Sequence, residues 1–178
     1  ESQFVIAAIR LLVFTGCRLG EIRDLRWENV KVDSAMLLLA DSKTGRKPVY
    51  LNAPALDVLT NLPRLEGNPY VICGNMEGAS LVNMQKPWGR IRKKAGLTDV
   101  RIHDLRHSFA SIAAEGGASL PIIGALLGHR QSATTARYAH LAADPLKSAN
   151  KAVGKRIAAA MKGGTEGAEV VSLSQRKL

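Results

Sequence analysis

The chain has 178 residues, 46% of them hydrophobic, enough for one domain that buries its own core without covalent staples. Its two cysteines, Cys17 and Cys73, stand alone and in no CxxC pattern, which argues against a disulfide framework or a zinc cluster and fits a reducing interior. A formal charge of +10 points to a polyanionic partner, because Lys and Arg release counterions when they neutralise phosphates.

Helical apolar spacing begins at once, at Phe4, Ile9, Leu12 and Val13, with no capping signal before it, as if the chain started inside a longer protein. The run FVIAAIRLLVF is broken by Arg10 and lacks the flanks of a signal peptide, so it reads as a core helix and neither a leader nor a membrane span. Helical character pauses at Thr15-Gly16 and resumes in CRLGEIRDLRW, where Leu19, Ile22 and Leu25 recur. From Val30 to Asn52 the pattern turns to short β-prone runs, NVKV, AMLLLA and KPVYLN, the last two joined by the hairpin turn Ser42-Lys43-Thr44-Gly45. Pro54 to Leu62 reads as a helix stopped by Pro63, and a short strand is expected around Tyr70 to Cys73. Gln85 to Ala95 forms a basic helix in which Trp88 and Ile91 anchor one face while Lys86, Arg90, Arg92, Lys93 and Lys94 face outward. Those five cations are candidate DNA contacts, and a solvated basic face is the plainer alternative.

In HDLRHSFASIAAEGG, Leu105, Phe109, Ile112 and Ala113 form one apolar stripe, with His103 and Arg106 together on another face. Ser119 and Pro121 open the next helix, which ends at Gly128 and leaves His129 just past its C-terminus. Ser132 is read as the cap of a third helix, SATTARYAHL, that carries Tyr138. A last helix runs from Pro145 to Lys162, and Glu169 to Leu173 in the tail forms an isolated β-prone piece. The expected class is therefore mainly α with a small antiparallel β-sheet, an α+β fold, divided into a domain at 1–162 and a C-terminal tail at 163–178, flexible or docking in trans on a neighbouring copy.

The motifs His103-Asp104-Leu105-Arg106 and Leu126-Leu127-Gly128-His129, with Tyr138 nine residues after that His, resemble the tyrosine recombinases, and among them the phage and prophage integrases. TGCRLGEI resembles the same family's first arginine motif. The resemblance runs from Thr15 to Leu141 and implies the tyrosine recombinase catalytic-domain fold. It makes Arg18 and Arg106 a phosphate clamp, Glu21 a brace for Arg18, and His103 and His129 hydrogen-bond donors, with His103 also able to take a proton from Tyr138. Tyr138 is then the nucleophile. Lys43, at the hairpin tip, is the candidate acid for the departing 5′ oxygen, with Arg46 and Lys47 close by as alternatives.

The chemistry suits the residue types. A tyrosine with an ordinary pKa of about 10 becomes a nucleophile towards a phosphodiester only when cations surround the phosphate. The guanidinium fork fits two non-bridging oxygens better than an ammonium does. The product implied is a covalent 3′-phosphotyrosyl bond with a free 5′ hydroxyl. No cofactor is called for, since the intermediate keeps the bond energy, and no metal, since His103 and His107 are followed by no third ligand. The activity implied is integration or excision of a phage or mobile element at double-stranded DNA attachment sites. It would involve a synaptic tetramer, accessory DNA-bending or directionality proteins and no membrane, in the cytoplasm of a bacterial host at the nucleoid. Type IB topoisomerase-like relaxation and a catalytically silent DNA-binding module are the alternatives.

Overall fold

The computed structural model describes residues 1–41, 45–129, 131–141 and 145–161, in two compact units, Glu1–Ala142 and Ala143–Leu178. In the first unit, helix α1 (Gln3–Thr15) lays Phe4, Ala8, Leu11 and Thr15 on one buried line, flanked by Val5 and Leu12. Val13, expected in the core, is 40% exposed. A cap is present after all: the Ser2 side chain accepts from the Val5 backbone N–H at 3.3 Å.

After a short helix α2 (Leu19–Arg23), strands β1 (Val30–Lys31), β2 (Met36–Asp41) and β3 (Gly45–Tyr50) form an antiparallel sheet in that order. Period-two alternation sets the register, with Leu37 opposite Val49, both buried, and Asp41 opposite Gly45. The connection between β2 and β3, and Lys43 with it, lies outside the described residues. Helix α3 (Ala53–Thr60) is capped by Asn52, whose Oδ1 accepts from Ala55 N while its Nδ2 donates to the Phe14 carbonyl. One side chain thus ties the start of α3 to the end of α1. The strand expected at Tyr70 to Cys73 is instead a loop held by two isolated bridges, Arg26 with Tyr70 and Cys73 with Ser80. Two bulky buried residues, Val71 and Ile72, plug that loop into the core without forming a ladder.

Helix α4 (Gln85–Lys94) is the expected basic helix, anchored through Trp88, which is buried and donates from Nε1 to the Val100 carbonyl. Helices α5 (Asp104–Glu115), α6 (Leu120–Leu127) and α7 (Ser132–Ala136) follow. The fully buried line of α5 is Arg106, Ala110 and Ala114; of the apolar stripe read in the sequence, Leu105, Phe109 and Ala113 flank it and pack against the core, while Ile112 is 67% exposed. Small residues let α5 approach α6 closely, and the one large side chain on that line is a cation with backbone acceptors waiting for it. The third helix is also shorter than read: α7 is capped at Gln131 and not by Ser132, and Tyr138 follows it in a turn before a 3₁₀ segment at Ala139–Leu141. Helix α8 (Pro145–Met161) belongs to the second unit and exposes Val153, Ile157 and Met161 along one stripe. The expectation for the tail after 162 falls outside the described residues.

The turn after α1 shows how closely TGCR is specified. Thr15 Oγ1 donates to the Leu11 carbonyl at 2.6 Å and accepts from Cys17 N at 3.3 Å. Gly16 takes a left-handed φ of 63°, and a Cβ there would stand 2.6 Å from Phe109 Cδ1 and 3.0 Å from Leu127 Cδ2. Gly16→Ala therefore combines a left-handed penalty with overpacking, and should cost roughly 2–4 kcal/mol. Urea unfolding of the variant measures it, and an unchanged midpoint would show that the α1–α5–α6 junction yields.

Candidate active site

Five side chains named from the sequence line one cleft of about 250 Å³: Arg18, His103, Arg106, His129 and Tyr138, joined by His107, Thr134 and Arg137. Each arrives through a local device. Arg18 precedes α2 in extended conformation, and Glu21 braces it twice, accepting from Arg18 N at 2.7 Å and from Nη1 at 2.9 Å. The Arg18 side chain is half exposed, so its guanidinium is presented to solvent at the cleft.

Arg106 is the opposite case. It is 5% exposed and its guanidinium donates from Nη1 to the Gly16 carbonyl at 2.6 Å and from Nη2 to the Leu127 carbonyl at 2.7 Å. Both acceptors sit at helix ends: Gly16 is the left-handed residue that ends α1, and Leu127 precedes the left-handed Gly128 that ends α6. These carbonyls carry the negative end of each helix dipole, so a cation is the partner they favour. Burial, with Arg18 nearby, disfavours the charge and lowers the Arg106 pKa, but an arginine stays protonated in proteins. The result is a fixed positive centre in the cleft floor.

His129 follows the α6 C-cap, and its Nδ1 lies 2.9 Å from Thr135 Oγ1. Thr135 is buried under Gly124, where an added Cβ would come within 3.0 Å of that hydroxyl. The hydroxyl thus fixes the imidazole orientation from beneath, a role that no local pattern assigns to one Thr of the pair in TTARYAHL.

Tyr138 belongs to the second core cluster, with Ala110, Ala114, Ile123 and Leu127, and is 5% exposed. Its hydroxyl meets His107 Nδ1 at 2.7 Å. The sequence resemblance implies His103, not His107, as the group that takes a proton from that oxygen. His103 is exposed at the start of α5 and stacks edge-on against His107, ring centres 5.1 Å apart. Burial raises the Tyr138 pKa, opposed by Arg137 and Arg106. Burial also lowers that of His107, helped by His103 and Arg137. The resting pair is thus a protonated phenol beside a neutral imidazole. Nothing in the linear sequence could have joined His107 to a residue 31 positions away.

Of the five cations of α4, two are occupied within the protein: Arg90 pairs with Glu1 and Arg92 Nη1 donates to the Val100 carbonyl. Lys86, Lys93 and Lys94 are exposed. Among the described residues no group of three or more His, Cys, Asp or Glu could hold a metal ion, and no helix is long and apolar enough to cross a membrane.

Residues 5–144 match the phage integrase family model. The chain is 31% identical over 151 residues to tyrosine recombinase XerD of Corynebacterium glutamicum, covering 79% of this chain and 49% of XerD. It is likewise 31% identical over 148 residues to tyrosine recombinase XerA of Pyrococcus furiosus, covering 79% of this chain and 51% of XerA. Its fold matches the XerH site-specific recombinase bound to difH substrate in a pre-cleavage complex, with a TM-score of 0.67 and 25% identity, over 77% of this chain and 42% of that one. The chain spans about half the length of the curated relatives it matches.

Proposed function

The chain belongs to the phage integrase family, and we propose that it performs site-specific DNA recombination, cutting and rejoining strands through a covalent 3′-phosphotyrosyl intermediate on Tyr138. The observation that carries this is the single cleft lined by Arg18, His103, Arg106, His129 and Tyr138 together.

In this reading the scissile phosphate of a double-stranded attachment site enters the cleft and its non-bridging oxygens take hydrogen bonds from both guanidiniums and both imidazoles. Three of those donors are held before substrate arrives, Arg18 by Glu21, Arg106 by two backbone carbonyls and His129 by Thr135, so little reorganisation of them is left for the transition state. Residues 1–162 act as the catalytic domain, with Lys86, Lys93 and Lys94 of α4 neutralising backbone phosphates and Arg90 and Arg92 joining them only if their internal bonds open. Strand exchange is the reverse reaction with another 5′ hydroxyl, carried out in a synaptic tetramer on DNA, with DNA-bending or directionality proteins as accessories, at the nucleoid of a bacterial cytoplasm.

The test is a denaturation-resistant protein–DNA adduct after incubation with nicked suicide duplexes randomised across the core. Absence of any adduct from the wild-type chain would leave a DNA-binding module, and relaxation of supercoiled plasmid without strand exchange would indicate a topoisomerase. The role of Lys43 has its own discriminating result. If it protonates the leaving 5′ oxygen, Lys43→Ala should slow cleavage by about 10² on ordinary DNA and cleave nearly normally when that oxygen is sulfur, since a thiolate leaves without a proton. Equal defects on both substrates would make Lys43 a phosphate ligand, and sulfur rescue of a Lys47 variant alone would move the acid there.

A further inference from the structure

We propose that His107 is a further catalytic residue of this site, the base that takes the proton from Tyr138 Oη as that oxygen attacks the scissile phosphate. The inference deepens the recombinase reading and rests on it. The His107 side chain makes a hydrogen bond with the Tyr138 hydroxyl, at 2.7 Å. That distance is already the one a general base needs, before DNA arrives.

The need for a base follows from where Tyr138 sits. A phenol 5% exposed in an apolar cluster resists ionisation. The two cations nearest it pull the other way, and one of them, Arg106, is already committed to the Gly16 and Leu127 carbonyls. A phosphate entering the cleft adds negative charge beside the oxygen and makes free phenolate costlier still. Transfer to an adjacent neutral imidazole during attack avoids that species.

His107 is suited to accept. It is half-buried on α5, fixed edge-on by the His103 ring and by its own helix. The groups that face it are His103, Asp104 and Arg106 from α5 and Arg137 beside Tyr138, and of these only Asp104 favours its charged form. The imidazole is accordingly neutral near pH 7, and the proposed role uses the tautomer that carries its proton on Nε2 and leaves Nδ1 to accept. The step balances: the Oη–H bond breaks and its proton goes to Nδ1, the Oη–P bond forms, and the P–O5′ bond breaks with its electron pair leaving on the 5′ oxygen, which takes a proton from the general acid proposed above and becomes the 5′ hydroxyl. In rejoining, the protonated His107 returns the proton to the departing Tyr138 oxygen as the new 5′ hydroxyl attacks and gives its own proton back to the deprotonated general acid.

The experiment is single-turnover adduct formation by the wild-type chain and a His107→Gln chain, on a nicked duplex recovered from the randomised library, across pH. Wild type should lose rate in acid with a slope of one as His107 becomes protonated and can no longer accept the Tyr138 proton. His107→Gln keeps a hydrogen-bonding side chain but takes no proton. It should form adduct about 10²-fold more slowly, with unchanged DNA affinity and circular dichroism and without the acid limb. A wild-type rate in the variant, or a slow variant that keeps the acid limb, overturns the assignment, the second outcome marking a purely positioning contact. Should His107→Gln fail to fold, the wild-type profile still decides: a flat acid side removes His107 as the base. Failure of the recombinase reading looks different, since then no adduct forms in wild type at any pH.

Discussion

A Tyr138→Phe chain is expected to form no denaturation-resistant adduct while binding DNA as wild type does. The ring is a structural member of the cluster with Ala110, Ala114, Ile123 and Leu127, and phenylalanine fills the same volume. What disappears is one oxygen and its bond to His107, which should cost about 1 kcal/mol of stability. Affinity should hold because the proposed phosphate donors stand on other elements: Arg18 before α2, His103 and Arg106 at α5, His129 after α6. Electrophoresis after denaturation reads the adduct, and a gel-shift titration at fixed salt reads binding. Adduct persisting in the variant, mapped to Tyr50 or Tyr70, would move the nucleophile. Neither has the surroundings for it: Tyr50 is 68% exposed on β3, and the Tyr70 ring lies under Arg26 at 5.1 Å.

Why Tyr138 and its companions could be read from the sequence, while their partners could not, comes down to range. Thr15-Gly16-Cys17-Arg18 folds on itself through bonds of two to four residues, and Gly16 and Gly128 end their helices by backbone conformation alone. The hairpin was legible for the same reason, since alternation in AMLLLA and KPVYLN dictates which faces meet. Misreadings arose where a long-range contact overrode a local pattern. The apolar periodicity of α5 pointed Ile112 inward, but the helix is rotated to bring Arg106 to carbonyls 90 and 21 residues away. Tyr138 ends up in a turn because α7 stops at Ala136, although helical residues continue past it. On α4 composition alone made five equivalent cations, and the fold uses two of them internally.

The two arginines should fail differently, and the contrast separates clamp from scaffold. Arg18 is half exposed and bonded to its neighbour Glu21, so Arg18→Ala should leave thermal unfolding almost unchanged and slow cleavage by about 10². Arg106→Ala removes the group that satisfies the Gly16 and Leu127 carbonyls at the junction of α1, α5 and α6. Losing these two bonds costs roughly 1–3 kcal/mol for an acceptor left without a donor, offset in part because a desolvated cation goes with them. A net loss of about 1–3 kcal/mol in urea unfolding is therefore expected. Single-turnover cleavage should also fall by about 10³, the upper end for one transition-state donor, since a fixed fork on the cleft floor is lost. Arg106→Lys restores charge but not two directed bonds, and should recover stability less than it recovers phosphate affinity. The deciding measurement is cleavage per folded molecule at a temperature where every variant is fully folded. If Arg106→Ala then cleaves at the wild-type rate, the guanidinium is a strut between helix ends, and the positive centre that Tyr138 attacks towards is supplied by Arg18 and the histidines alone.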